Sequence, residues 1–289
     1  MSRMRSRWLE DGRRLHLHDG PIDLIIAAEH ALLEVSRAFE AAENRFSTIL
    51  DELCAELPLL RRPFSDLPDG KVARRMWKAV APHAKQSFIT PMAAVAGAVA
   101  EEVLQSMTAA APLDRAFVNN GGDIALHLAP GKNYAVGLVD RPDRPSLFAK
   151  VQLCSGDPVR GLATSGWRGR SLSMGIADAV TVLAATASAA DAAATLIANA
   201  VDLPGHPAIS RCAADDVQPG SDLGRRLITR SVGYLQPEEI TLALDRGVTR
   251  AETMVDRGLI EACALHLAGM TRSVSRVSAT QSRRLVAHA

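Results

Sequence analysis

Phe117-Val118-Asn119-Asn120-Gly121-Gly122-Asp123-Ile124-Ala125-Leu126-His127-Leu128 is the stretch on which the reading of the chain turns. An apolar run enters, two amides and two glycines reverse the chain, an aspartate follows, and an alternating run leaves. Ile124, Leu126 and Leu128 share one strand face and Ala125 and His127 the other, the period of a half-buried strand. Gly121 and Gly122 accept positive φ and let another group come close to the backbone. Asn-Gly between apolar runs is also the commonest short hairpin signal and needs no ligand. On local grounds the stretch is a hairpin, with a ligand wall as the alternative.

Upstream, residues 8–28 read as a β-hairpin with turns at Asp11-Gly12 and Asp19-Gly20-Pro21. His16 and His18 share a face there. Two histidines two apart can hold a metal, but no third ligand can be placed beside them, so a polar strand face is the expectation. Leu32, Leu33, Phe39, Phe46, Ile49, Leu50, Leu53 and Leu57 recur at helical spacing and predict one long helix over 29–57, stopped by Pro58 and Pro63. Residues 58–70 read as a loop and 71–80 as a helix with Val72, Met76 and Val80 inward. Thr90-Pro91 is a helix start, an N-cap followed by proline at the first helical position. Gly97 on the alanine-rich helix that follows allows close packing against a neighbouring helix or a flat ligand.

Downstream, 134–139 and 147–153 alternate as strands. Gly161 to Trp167 is a strand end that opens into a polar loop, and Ala177 to Leu183 a buried strand. A helix follows over 188–201. Ser188 and Asp191 have the form of a capping box with Asp in place of Glu, and Asp191 and Thr195 lie on one face, four residues apart. Residues 203–232 are loop-rich, 238–257 helical, 259–270 a last strand, and about 275–289 a polar tail. Strands and helices without regular βαβ alternation predict an α+β fold, taken as a single unit over 1–289 with its motifs in 87–201.

Composition excludes some partners. With 33 Lys and Arg against 32 Asp and Glu, the net charge of +1 provides no global field for nucleic acid or a membrane. A hydrophobic content of 47% with 22% charged residues is that of a soluble globular protein. The four cysteines are far apart and read as reduced thiols. The first residues are arginine-rich without an apolar run behind them, so a cytoplasmic location is expected. The alanine-rich helices could pack within a monomer or across a homodimer, and periodicity does not choose.

Three segments taken together resemble the superfamily of ApbE, the FAD-dependent protein flavin transferases. Asn120-Gly121-Gly122-Asp123-Ile124 is similar to the family's N-x-G-G-D segment. Ala163-Thr164-Ser165-Gly166, then Val180-Thr181-Val182-Leu183-Ala184, is similar to its T-S-G turn and V-T-V strand. Ala190-Asp191-Ala192-Ala193-Ala194-Thr195 is similar to its A-D-A-x-A-T helix. The resemblance covers roughly 115–200 and points to a compact cytoplasmic branch with an ApbE-like fold. It implies that Asp191 and Thr195 are ligands to Mg²⁺, that Asn120, Gly121, Gly122 and Asp123 line the nucleotide end of FAD or FMN, and that Thr164, Ser165 and Gly166 lie near the pyrophosphate. The implied reaction transfers FMN from FAD to a threonine of a flavoprotein partner and releases AMP.

The sequence departs from that pattern after T-S-G. Family transferases carry a longer insert after T-S-G, ending in an H-x-x-D-P-x-T-G motif. Here only Trp167 to Gly175 remain, and no histidine lies between His127 and His206. Asp178 is the nearest acid, so Asp178 and Arg170 become the candidate catalytic pair. Arg168, Arg170, Ser171 and Ser173 would line an anionic pocket, since guanidinium groups suit phosphate or carboxylate. Three functions follow: magnesium-dependent flavin transfer, a binding module for a flavin or similar nucleotide, or a catabolic enzyme for a small anionic, heterocyclic metabolite.

Overall fold

The computed structural model describes residues 4–30, 35–63, 66–139, 147–276 and 285–287. In chain order the elements are β1 (Arg5–Trp8), β2 (Arg14–Asp19), β3 (Ile22–Glu29), α1 (Ser36–Ala55), α2 (Leu57–Leu60), α3 (Lys71–Val80) and α4 (Val95–Ala110), the last preceded by a 3₁₀ turn over Pro91–Ala94. Then come β4 (Arg115–Asn120), β5 (Asp123–Leu128), β6 (Asn133–Val139), β7 (Leu147–Cys154), β8 (Gly161–Ser165), β9 (Ala179–Ala184) and α5 (Ala187–Ala200). The chain continues with β10 (Ile209–Ala213), α6 (Ala214–Val217), β11 (Leu227–Val232), α7 (Pro237–Asp256), β12 (Ala262–Leu267), β13 (Met270–Ser275) and β14 (Leu285–Ala287). Helices and antiparallel strands are mixed, the expected α+β class. Contacts divide these elements into two compact units, with the division passing within β8, near the end of β9 and within α5.

The first unit is an antiparallel meander of β1, β2, β3, β4 and β5, with β8 paired to β5 through Ile124 with Leu162 and Ala125 with Gly161. Leu15, Leu17, Leu24 and Ile26 alternate inward under α1, and Phe46 and Ile49 of α1, Met76 of α3 and Met107 of α4 are buried in the same unit. Burying each such side chain contributes roughly 1.5–3 kcal/mol, so this core fixes where the ends of β4 and α4 lie. The hairpin expected at 8–28 is present as β2 and β3, with an exposed arginine-rich strand, β1, added ahead of it. The long helix expected from residue 29 begins at Ser36, because β3 runs on to Glu29; residues 31–34 lie outside the described set. Within the expected loop, Leu57–Leu60 forms one helical turn, with Pro58 placed where no N–H is needed.

In the second unit β9, β12 and β13 form an antiparallel sheet. Helix α7 packs on β12 and β13, and Val180, Val182, Leu244 and Leu265 are buried. The expected last strand over 259–270 is two strands. Gly269 and Ala268, both at positive φ, turn the chain between them. The stretch read as loop, 203–232, contains β10 and β11 paired antiparallel with a register shift at Ser210/Arg211, an irregularity that blurs the alternation. Most of the expected polar tail lies outside the described residues, but Leu285 to Ala287 pair with β7. Helix α7 starts in a capping box between Gln236 and Glu239.

Candidate functional site

The glycine-rich stretch is the two-residue hairpin that its amides and glycines dictate. Asn120 pairs with Asp123, and Gly121 and Gly122 take φ of 66° and 116°, values that favour glycine. The Asn119 side-chain oxygen accepts the Gly122 N–H at 2.8 Å. Asn120 is buried and donates through Nδ2 to the Ala96 carbonyl at 3.1 Å. The turn is thereby tied to the start of α4, while the space beside Gly122 is open.

The starts of α4 and α5 touch backbone to backbone. A methyl at Gly97 would overlap the Ala187 carbonyl, and one at Gly161 would overlap Thr186 and Ala187. Gly97 therefore serves helix packing, one of its two expected uses. Thr90 makes no capping hydrogen bond; it is buried, and the chain enters α4 through the 3₁₀ turn instead. The Ser188–Asp191 capping box does not form either. Thr186 Oγ1 accepts the Ala189 N–H at 3.2 Å, and the Ser188 N–H goes to Glu101 Oε1 at 2.6 Å.

Asp191 is thus released from its own helix, and its Oδ2 accepts the Gly97 N–H at 3.0 Å. The side chain keeps some exposure, yet protein crowds it closely enough to strip most of its solvation. Burial pushes its carboxyl well above the usual carboxylate range, and the charge of Asp123 adds to the rise. The N–H groups of Gly97 and Ala96 oppose it, and Glu101 raises it further. Glu101 is itself paired with Arg75 at 3.2 Å. Thr195 stands one turn further along the same helix. Among the described residues no three His, Cys, Asp or Glu side chains form a metal cage. A cation at Asp191 would rely on one or two carboxylates and fill its shell with hydroxyl, phosphate and water oxygens. Magnesium accepts that pattern, so the donor set fits the ion.

The T-S-G loop belongs to the second unit and closes on itself. Thr164 and Thr181 share a hydroxyl–hydroxyl bond of 2.9 Å. Gly166 passes so near the Asp178 carbonyl that a side chain would overlap it. The Trp167 N–H donates to the Ala177 carbonyl at 3.0 Å. Asp178 is 5% exposed and accepts from three donors: Arg168 Nε at 2.5 Å, Trp167 Nε1 at 3.2 Å and the Ala268 N–H at 2.7 Å. Arg168 also lies over the Trp167 ring, 4.2 Å from its centroid. Arg170 and Ser171 are exposed, Ser165 is half-buried, and Ser173 is buried with its hydroxyl 3.3 Å from Asn199 Oδ1.

The structure therefore brings Asn120, Asp123 and Asp191 around the starts of α4 and α5. In the second unit it builds Thr164, Gly166, Ser173 and Asp178 into the loop's own hydrogen bonding and close packing. His16 is bonded to Asp23 at 2.8 Å and accepts from Arg7 at 3.1 Å, so it belongs to a polar strand face. Sequence reasoning missed Glu101, Ala96 and the Gly97 N–H. Their part depends on two helix starts meeting, and no local pattern carries that.

Fold and site together describe an α+β protein with an acidic side chain aimed at a helix start beside a glycine hairpin. The family model described as "AbpE bacteria" matches residues 6–273, and the chain belongs to that family. It is 34% identical over 193 residues to the UPF0280 protein of Methanosphaerula palustris, covering 62% of this chain and 73% of that one. It is 42% identical over 137 residues to the UPF0280 protein of Archaeoglobus fulgidus, covering 46% and 51%. The chain thus spans about half the length of the Archaeoglobus relative. Among solved structures it is similar to the flavinyl transferase ApbE of Pseudomonas stutzeri, with a TM-score of 0.41 and 10% identity over 94% of this chain and 93% of that one. The flavin transferase ApbE of Vibrio cholerae matches with a TM-score of 0.38 and 12% identity over 95% and 97%. Among the described residues no helix is long and apolar enough to cross a membrane.

Proposed function

We propose that this chain binds a flavin nucleotide, FAD or FMN, through Mg²⁺ held at Asp191. The observation that carries the reading is the Asp191 carboxyl, drawn to the Gly97 N–H with Asp123 and Glu101 adding like charge. A divalent cation would compensate Asp191, and Asp123 is the next carboxylate it would use. The ion would supply neutralisation of the ligand's phosphates. The chain itself would supply the Gly121-Gly122 turn, open on its outer side, against which a flat group can lie. Family membership and the N-G-G-D and A-D-A-x-A-T segments support the same ligand class.

Binding without turnover fits the second unit better than transfer does. Flavin transfer needs a group to take the acceptor's proton. Asp178, the acid nearest the shortened loop, already accepts from Arg168, Trp167 and Ala268. The test is titration of the purified chain with FAD in the presence and absence of Mg²⁺, with AMP followed in the same samples. Saturable, magnesium-dependent binding without AMP is expected, and Asp191→Asn should abolish the magnesium dependence. AMP release would make the chain a transferase or pyrophosphatase, and an absence of flavin binding would sink the reading.

A further inference from the structure

Helix α3 carries Lys71, Arg74, Arg75 and Lys78, spaced so that all four fall on one face. That face lines an open groove of about 570 Å³ whose other wall is α4 and the start of α5. Arg75 is engaged at the floor, at 3.2 Å from Glu101 and 3.0 Å from Glu102. Burial pushes the Glu102 carboxyl up, but hydrogen bonds from Arg45 and Arg75 outweigh it and hold it below the usual range. Both glutamates are paired with Arg75. Arg45 beneath them is paired in turn with Glu52 at 2.7 Å. Arg74 is paired with Asp69 at 3.6 Å, so of the four cations in the lining Lys71 and Lys78 remain for a ligand, both on exposed side chains at the groove mouth.

The N–H groups of the α5 start add little, because Ser188 and Ala189 already donate to Glu101 and Thr186. The attraction for an anion is therefore a matter of side-chain cations. A second cavity of about 270 Å³ also borders Arg75, Glu101, Gln105 and Thr186 and extends past Leu126 and His127. A ligand seated at the lysines has room there for an uncharged body.

We propose that this groove binds a small phosphate monoester, its phosphate at Lys71 and Lys78 and its organic part toward Leu126. A phosphate monoester carries about two negative charges near neutral pH, which matches Lys71 and Lys78. A singly charged anion would leave one cation unmatched, and a dicarboxylate would spread its charge over two separate groups.

Calorimetric titration at fixed ionic strength with phenyl phosphate, inorganic phosphate and succinate tests this. Phenyl phosphate should saturate at one site, with succinate weaker by about tenfold or more. The double variant Lys71→Gln/Lys78→Gln, which alters only exposed side chains, should keep its circular dichroism and lose at least about tenfold in affinity for phenyl phosphate. Asp191→Asn, or omission of Mg²⁺, should leave phenyl phosphate binding unchanged, which separates this site from the proposed flavin site. Failure of phenyl phosphate to saturate, equal binding of succinate, or an unaffected double variant would each overturn the proposal.

Discussion

Two aspartates with little access to water meet opposite fates in this chain. Asp178, in the second unit, is surrounded by donors: a guanidinium, an indole N–H and a backbone N–H. Asp191, at the start of α5, has backbone N–H groups on one side and the charges of Asp123 and Glu101 on the other. A buried carboxylate is tolerated when its charge is compensated. For Asp178 the chain provides the compensation itself, and the aspartate becomes a clamp that shapes the shortened loop. For Asp191 the chain provides only part; a proton completes it, and under the proposed function Mg²⁺ would take that proton's place. On that proposal, one acid is fixed structure and the other binds the ligand.

The largest test of that contrast is Asp178→Ala. It would leave the Trp167 and Ala268 N–H groups without their acceptor and Arg168 without its counter-ion. A loss of about 3 kcal/mol in urea unfolding is expected. Arg170→Ala in the same loop, at an exposed side chain, should change stability by less than about 0.5 kcal/mol. If the two variants unfold alike, Asp178 is not a clamp and the contrast fails.

Magnesium supplies the next effect in size. At a hundredfold excess over Kd, a cation that binds only the folded chain adds about 2.7 kcal/mol. Thermal unfolding should show that gain in the parent chain and none in Asp191→Asn. The pH dependence without metal has a definite sign. Between the ordinary carboxylate range and the raised value for Asp191, the folded chain holds a proton that the unfolded chain has released. Stability conferred by that proton is present at low pH and is lost as pH rises through this window. Asp191→Asn should flatten that slope and, at neutral pH without Mg²⁺, should exceed the parent in stability. A parent chain indifferent to Mg²⁺ would place Asp191 beside Asp178 as structure.

Gly166→Ala sharpens the contrast from the backbone side. The overlap with the Asp178 carbonyl would force the loop off its clamp, at a cost of about 2 kcal/mol. Unfolding of the variant, compared with Asp178→Ala and the double mutant, should show non-additivity because the backbone of Asp178 meets Gly166 while its side chain holds the same loop.

How much of this was legible beforehand follows from the range of the interactions. The β4–β5 hairpin is local: alternation and Asn-Gly-Gly specify it, and the turn falls at Gly121 and Gly122. Helices α3, α5 and α7 begin and end within a residue or two of their periodicity. Strands β10 and β11 escaped because their register shift and polar residues hide alternation. The apparent Ser188–Asp191 capping box was a local pattern defeated by a distant one. Glu101 and Gly97 lie nearly a hundred residues away in sequence, yet they capture the Ser188 N–H and the Asp191 carboxylate. Asp178 is legible as the nearest acid to the shortened loop, but its three donors include one from the β12–β13 turn that only the folded chain brings there.

The smallest effect separates two reasons for having glycine. Gly122 sits at φ 116° with no atom near enough to resist a methyl group, so Gly122→Ala meets backbone strain alone. The expected loss is about 1 kcal/mol, less than for Gly166→Ala, where the obstacle is another backbone. The Gly122 methyl would point into the open side of the turn. If a flat nucleotide lies there, flavin affinity should fall by more than stability does, whereas Gly12→Ala, at an equally open turn with φ 62°, should cost stability without touching flavin binding. Parallel titrations of the two variants with FAD read that difference. Equal flavin binding by both would leave the glycine turn as a hairpin and nothing more, and would confine the proposed flavin site to the starts of α4 and α5.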